Sequence, residues 1–308
     1  MRTVLVLGGT GMLGSMVTDE LARRSGIRVT ATWRAASKGF QPAAIPGVEW
    51  VRFDAAEPNL DAALSACGNH QWIINCIGIT KPLIRDDNAQ QIERALRINA
   101  LLPHAIARFA GTQGARVLQI ATDCVYSGIK GVYIESDPHD ALDVYGKSKS
   151  LGECFAPNIA NLRCSIIGPE PKDFKFLIEW FRSQPPGAQV NGFVNHKWNG
   201  LTTLHFARLC AGIIDMDTRL PHLQHLVPDG VISKAEMLHE FAKAYGRPDV
   251  RIKDTVAATM IDRTLSTANP DLNRQLWHAA GYSMPPSVPE MIAETAKYPY
   301  RFCSQEVA

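Results

Sequence analysis

Short apolar runs separated by longer stretches with helical spacing organise the first half of the chain. The runs TVLVL (3–7), RVTATW (28–33), VEWVRF (48–53), QWIIN (71–75), ARVLQIA (115–121) and IANLRCSII (159–167) predict six strands. MLGSMVTDELARRS and DNAQQIERALRINALLPHAIARFAG, between them, carry helix periodicity; in the second, Ile92, Ala95, Leu96, Asn99, Leu102, Ile106 and Phe109 share one face. Strands alternating with helices imply right-handed crossovers and an α/β, doubly wound parallel sheet covered on both sides. Past Gly168 the texture changes: GPEPKDF, SQPPG and FVNHKWNGLTT are rich in Pro, Gly and Asn, and the helical patterns TTLHFARLCAGIIDM and SKAEMLHEFAKAYG no longer alternate with strands. The expected division is a sheet domain over 1–168, with about 203–230 crossing back to it, and a smaller mixed α/β lobe from 169–202 and 231–308.

Composition narrows the function classes. The 308 residues are 46% hydrophobic, enough for a full core, and 32 basic against 30 acidic side chains leave a net charge of only +2. Nothing in that balance calls for nucleic acid or a membrane surface as partner. Seven cysteines at 67, 76, 124, 154, 164, 210 and 303 form no C-x-x-C pair and no cluster with His at zinc spacing, so they read as reduced thiols of a cytoplasmic protein without a metal. The N-terminus opens on a strand rather than an export signal, and no window is long and apolar enough for a membrane span.

The turn after the first strand, VLVLGGTGMLG, puts Gly8, Gly11 and Gly14 at G-x-x-G-x-x-G spacing with Thr10, Met12 and Leu13 among them. Residues without side chains at that spacing permit a tight turn, a close approach of backbone N–H groups to a pyrophosphate and a snug helix–strand contact, the marks of a Rossmann dinucleotide site. At the end of the second strand, TATWRAASK offers Arg34, Ser37 and Lys38 and no carboxylate, which suits the 2′-phosphate of NADPH better than the ribose of NADH. Asp54 and Ala55, after the third strand, and Cys76, Ile77 and Gly78, after the fourth, are expected beside the cofactor from topology.

Tyr145 and Lys149 in VYGKSKSLGE lie four apart on a predicted helix and so face the same way. An ammonium beside a phenol favours the phenolate, which would lower the tyrosine pKa and make the pair an acid/base device. Thr122, at the C-terminal end of the fifth strand, faces the same crevice and supplies a hydroxyl for a substrate carbonyl.

On GGTGMLG, INCIG, RINALLPHAIA, IATDCVYSG, YIESD, VYGKSKSLGE and NLRCSIIG the chain resembles an extended short-chain dehydrogenase/reductase of the dTDP-4-dehydrorhamnose reductase-like, sugar-nucleotide-modifying group. The resemblance implies that Tyr145 donates the proton, Lys149 lowers its pKa and holds the ribose, and Thr122 polarises the carbonyl. It also places Asn99, Ala121 and Cys164 among the cofactor contacts and a nucleoside diphosphate sugar in the C-terminal lobe, where a 4-keto (6-deoxy) group is reduced with NADPH or NADH in deoxysugar or polysaccharide biosynthesis. Asp123, Cys124, Trp198, Asn199 and Arg263 are the candidate substrate contacts; Arg163 would meet a diphosphate or pair with a core carboxylate. A homodimer is compatible with this reading.

Other readings share the same residues. A 4,6-dehydratase carries Asp-Glu after the threonine, and here Cys124 takes the glutamate's place, a poor substitute for that acid. A 4-epimerase would use the same trio with a retained NAD, against which Arg34 argues. A catalytically silent, dinucleotide-binding regulatory subunit usually shows a damaged Tyr or Lys, and both are intact.

Overall fold

The computed structural model describes residues 1–34, 42 and 44–303. In chain order the elements are β1 (Arg2–Leu7), α1 (Met12–Leu21), β2 (Ile27–Trp33), β3 (Val48–Arg52), α2 (Leu60–Ser65), β4 (Trp72–Asn75), α3 (Ala89–Ala95), α4 (Leu102–Gln113), β5 (Arg116–Ala121), α5 (Val144–Leu151), β6 (Ile159–Arg163) and β7 (Ile166–Ile167). They continue with α6 (Leu177–Arg182), β8 (Gln189–Phe193), β9 (His196–Trp198), β10 (Leu201–Thr202), α7 (Thr203–Asp215), β11 (Leu223–His225), β12 (Ile232–Ser233), α8 (Lys234–Ala244), β13 (Arg251–Thr255), β14 (Ile261–Asp262), α9 (Pro270–Ala279) and α10 (Val288–Lys297).

Seven strands form one parallel sheet in the order β11-β6-β5-β4-β1-β2-β3. Val4, Leu5, Val6 and Leu7 of the central strand are all fully buried, as expected of a strand covered on both faces. The strand order reverses between β1 and β4, and the crevice at such a reversal, outside the carboxyl ends of the strands, is where open α/β sheets bind ligands. The doubly wound Rossmann sheet expected from the alternation is therefore borne out.

Two sequence expectations are corrected. The run 159–167 is not one strand: β6 stays in the main sheet, the chain leaves it at Cys164 and Ser165, and β7 pairs instead with β10. The long helix is interrupted by a π-helical turn over Leu96–Leu101, and Leu96, assigned to the apolar face, is 38% exposed. A π turn inserts an extra residue per turn and shifts the phase of everything around it, while Asn99, Leu102 and Ile106 remain buried.

The remaining elements add smaller sheets and helices to this frame. A three-stranded sheet (β12-β9-β14) and a parallel pair (β13-β8) pack with α8, and β11 adds to the edge of the main sheet beside β6. Helix α7 lies along α1, and the C-terminal segment returns to the same helix, where Tyr298 Oη donates to Glu20 Oε2 at 3.1 Å and Arg301 pairs with Asp19. Among the described residues no helix is long and apolar enough to cross a membrane.

Candidate active site

The turn from β1 to α1 closes on itself. Gly8 takes φ +82°, and a Cβ on Gly14 would stand 2.1 Å from the Gly8 carbonyl oxygen, so the first turn of α1 packs directly on the strand end. Gly11 is different: a Cβ there would find nothing nearer than that same oxygen at 3.5 Å. The fold itself leaves room for a side chain at Gly11, which points to a ligand as the reason for its absence. Gly11 is also the N-cap of α1 and provides no side-chain cap, leaving first-turn N–H groups such as those of Met12 and Leu13 for an anion. The cradle thus fits a dinucleotide pyrophosphate.

Around it, Thr10 is buried and accepts from Lys172 Nζ at 3.5 Å. Lys172 comes from the stretch after β7 and was not singled out from the sequence. Arg34 is exposed immediately after β2, at the position expected for a 2′-phosphate partner, whereas Ser37 and Lys38 lie outside the described residues. Asp54 is half-buried and accepts from the Ala56 N–H at 3.0 Å; Ala55 is buried. After β4, the Ile77 N–H donates to Asn75 Oδ1 at 3.1 Å, which shapes the Cys76-Ile77-Gly78 turn.

Asn99 requires a correction. Its amide is spent inside the protein: Oδ1 accepts from the Ile79 N–H at 2.8 Å, and Nδ2 donates to Ile79 O at 2.9 Å and to Ser148 Oγ at 3.1 Å. From the π turn it ties the loop after β4 to α5, so it builds the crevice rather than lining it. Cys164 and Ala121 are likewise buried, with the Cys164 thiol pushed up by burial.

Helix α5 is held against this frame at both ends. Asp143 caps it, accepting from the Gly146 N–H at 2.8 Å and from Lys81 Nζ at 2.7 Å. A Cβ on Gly146 would lie 2.5 Å from the Cys124 carbonyl, and one on Gly152 would lie 1.9 Å from the Asn99 carbonyl. Two glycines therefore let α5 press onto the turn after β5 and onto the π turn, bringing Tyr145 beside Thr122. Thr122 itself caps the short 3-10 turn Asp123–Val125: its hydroxyl accepts from the Cys124 N–H at 3.2 Å and donates to Asp123 Oδ1 at 3.3 Å.

The electrostatics correct a second expectation. Tyr145 is not drawn down by Lys149; burial pushes its phenol above the ordinary range, neighbouring Cys124, Asp123 and Asp143 push the same way, and the Thr122 hydroxyl opposes them. Lys149 directs its ammonium to the Ile120 carbonyl at 2.9 Å, and burial lowers it to about 8 against the favourable charge of Glu153. Burial also pushes the Cys124 thiol up to about 12 and raises the buried Asp123 carboxyl, the latter opposed by Arg263 and Lys234. At neutral pH the crevice presents a protonated phenol, a protonated thiol and an ammonium.

Of the candidate substrate contacts, Asp123, Cys124 and Arg263 come together; Arg263 Nε donates to the Tyr126 carbonyl at 2.7 Å. Trp198 and Asn199 are corrected from loop contacts to framework. Trp198 ends β9, is only 5% exposed and gives its indole N–H to Ser165 Oγ at 2.8 Å, while Asn199 exchanges two hydrogen bonds with the Leu265 backbone, at 2.7 and 2.9 Å. Both sit where a strand-ladder edge and a buried segment need their donors satisfied. Arg163 takes its core alternative: fully buried, it meets Glu153 at 3.0 and 2.5 Å, Tyr126 Oη at 2.5 Å, His225 at 2.8 Å and His139 at 2.7 Å. Lys234, which also faces Asp123 and Cys124, was missed; its signal was a lysine in the first turn of a helix, where the positive helix end disfavours it. No group of His, Cys, Asp and Glu among the described residues is arranged to hold a metal ion.

The profile of the RmlD substrate binding domain matches residues 1–297, and the chain belongs to that family. This bears out the resemblance to dTDP-4-dehydrorhamnose reductase-like proteins. A dTDP-4-dehydrorhamnose reductase of Mycobacterium tuberculosis is 23% identical over 90% of this chain and 87% of its own. The methionine adenosyltransferase 2 subunit beta of Danio rerio is 26% identical over 80% of this chain and 75% of its own, while its counterpart in Rattus norvegicus is matched over only 42% of its length. Among solved structures, a dTDP-4-dehydrorhamnose reductase of Bacillus anthracis in complex with NADP shares the fold, with a TM-score of 0.71 at 18% identity over 96% of this chain and 98% of that one.

Proposed function

We propose that this family member is an NADPH-dependent oxidoreductase that reduces a 4-keto (6-deoxy) sugar carried on a nucleoside diphosphate, with NADH as a weaker reductant. The observation that carries the reading is the convergence of Thr122, Tyr145 and Lys149 at the carboxyl ends of the strands, beside a glycine turn shaped for a pyrophosphate. A bound nicotinamide cofactor supplies the hydride. Gly8, Gly11, Gly14 and the start of α1 hold its pyrophosphate, and Arg34 meets the 2′-phosphate.

The chain's own residues do the rest. Thr122 donates a hydrogen bond that orients and polarises the keto oxygen, and Tyr145 gives that oxygen a proton as its charge develops. Lys149, fixed by the Ile120 carbonyl, would hold the nicotinamide ribose with its ammonium. Cys124, protonated and where a dehydratase carries a carboxylate, supports reduction over elimination.

The test is stoichiometric consumption of NADPH with 4-keto-6-deoxy sugar nucleotides, followed by product mass. Tyr145→Phe should keep cofactor affinity within about twofold and lose roughly 10²–10⁴ in turnover, because it removes only the proton donor. Near-normal turnover by that variant refutes the assignment. Interconversion of sugar epimers without net cofactor oxidation supports the 4-epimerase instead. The relative named subunit beta supports a second reading, a dinucleotide-binding subunit without turnover; tight cofactor binding, no reaction across the panel and a stable partner in pull-downs would favour it.

A further inference from the structure

Lys234 opens α8 directly after its capping serine, Ser233. The antiparallel register of β12 on β9 sets Ile232 opposite Trp198, and the Lys234 ammonium lies 5.2 Å from the centroid of the Trp198 ring. That ring is a fixed floor: its N–H is held by Ser165, and a Cβ on Gly200 would stand 2.4 Å from its edge. Among the described residues the ammonium makes no hydrogen bond and no ion pair; the carboxyl of Asp123 and the protonated thiol of Cys124 lie near it.

Lys234 faces a single carboxylate, which it shares with Arg263. Asp123 is one carboxylate facing both Lys234 and Arg263, and its own burial disfavours its charge. Asp140 and Asp143 act on Arg263 from the rim, and Lys149 is answered by Glu153, which is already paired with Arg163. A half-buried ammonium without a protein acceptor is open to a ligand's oxygen, and a neutral acceptor would satisfy its hydrogen bond but not its charge. Burial lowers Lys234 to about 8, so an anion arriving beside it would draw a proton back.

We propose that Lys234 is a substrate-binding residue whose ammonium donates to an anionic oxygen of the nucleotide-linked sugar. The shared chemistry is an oxyanion, from either a carboxylate on the sugar ring or the diphosphate. The proposal rests on the sugar-nucleotide reading above and goes beyond it by assigning a charge to the ligand at this point of the crevice.

The experiment is calorimetric titration of the full chain at pH 8.5 with dTDP, UDP, GDP, UDP-glucose and UDP-glucuronate, in two buffers of different ionisation enthalpy. Wild type, Lys234→Met, Lys234→Gln and Lys234→Arg are compared. Wild type should take up protons on binding, the Met and Gln variants should bind at least tenfold more weakly without proton uptake, and Arg should retain most affinity. Equal weakening of the free nucleoside diphosphates and the sugar nucleotides supports the diphosphate source. Weakening confined to UDP-glucuronate supports the ring carboxylate. Binding by the Met and Gln variants within twofold of wild type, binding by wild type without proton uptake, or no binding of any probe to wild type overturns the proposal. Wild-type proton uptake is read even where a variant fails to fold. If the probes bind as expected but no keto sugar oxidises NADPH, the anchor stands and the reductase reading falls.

Discussion

Gly146→Ala tests whether Tyr145, the proposed proton donor, is placed by the pressing of α5 onto the turn after β5. Helix propensity alone favours the change, since Ala stabilises a helix interior by about 1 kcal/mol over Gly. The structure reverses the sign. A Cβ on Gly146 would lie 2.4 Å from Ala141 Cβ and 2.5 Å from the Cys124 carbonyl oxygen. Non-bonded heavy atoms settle near about 3.5 Å, so α5 must back away by about 1 Å. Overpacking of this kind costs about 1–3 kcal/mol, which exceeds the propensity gain and leaves a net loss near 1 kcal/mol. For a chain of this size that corresponds to a melting temperature lower by roughly 1–2 °C.

The functional loss should be larger than the loss of stability. The retreat moves Tyr145 away from Thr122, and a displacement of about 1 Å at a reacting group costs on the order of 10²-fold in rate. NADPH affinity, measured by fluorescence titration, should change little, because the glycine turn belongs to β1 and α1. Adding Ala141→Gly removes one of the two collisions and should recover part of both losses. A Gly146→Ala protein that melts higher than wild type and turns over NADPH within twofold of it would refute this placement of Tyr145.

Other substitutions address other parts of the machinery. Glu153→Gln leaves the fully buried Arg163 without its carboxylate, and urea unfolding should show a loss of about 3–5 kcal/mol. Arg34→Ala should raise the Kd for NADPH roughly tenfold or more while leaving that for NADH nearly unchanged, read by parallel fluorescence titrations. Lys149 is held at about 8 in the folded chain against an ordinary 10.5. Between these values the unfolded chain keeps a proton that the native chain has released, so this group makes stability rise with pH over that window. The penalty relieved is about 3 kcal/mol, and the difference between wild type and Lys149→Met, measured by urea unfolding at pH 7.5 and 9.5, should shrink as pH rises.

The sheet and the glycine turn were legible because both are local patterns: alternation sets the strands, and the spacing of Gly8, Gly11 and Gly14 sets the turn. Thr122, Tyr145 and Lys149 were legible because strand ends and four-residue helical spacing fix where side chains point. Asn99 was legible as a member of the helix face but not in its duty, since its amide partners come from the loop at Ile79 and from Ser148 of α5. Trp198 was misread for a related reason: a Gly/Asn-rich context describes the chain around it, whereas its burial is decided by Ser165 and Gly200. Lys234 depended on the packing of α8 over the crevice, which no periodicity encodes.

The same dependence on packing bears on the direction of the chemistry. A tyrosine drawn down by a neighbouring lysine would serve equally as acid or base near neutrality. Burial instead holds Tyr145 protonated, and Lys149, its charge already costly, sits one helical turn away on the Ile120 carbonyl. A protonated phenol is ready to give its proton to an oxygen that becomes negative as hydride arrives at its carbon, whereas the reverse reaction must first remove that proton from a desolvated site. On the proposed reaction, the rate of reduction should hold through neutral pH, and the rate of alcohol oxidation should rise with pH towards the tyrosine's elevated range. Equal pH dependence in the two directions would show that the pair is tuned differently once cofactor and substrate are bound.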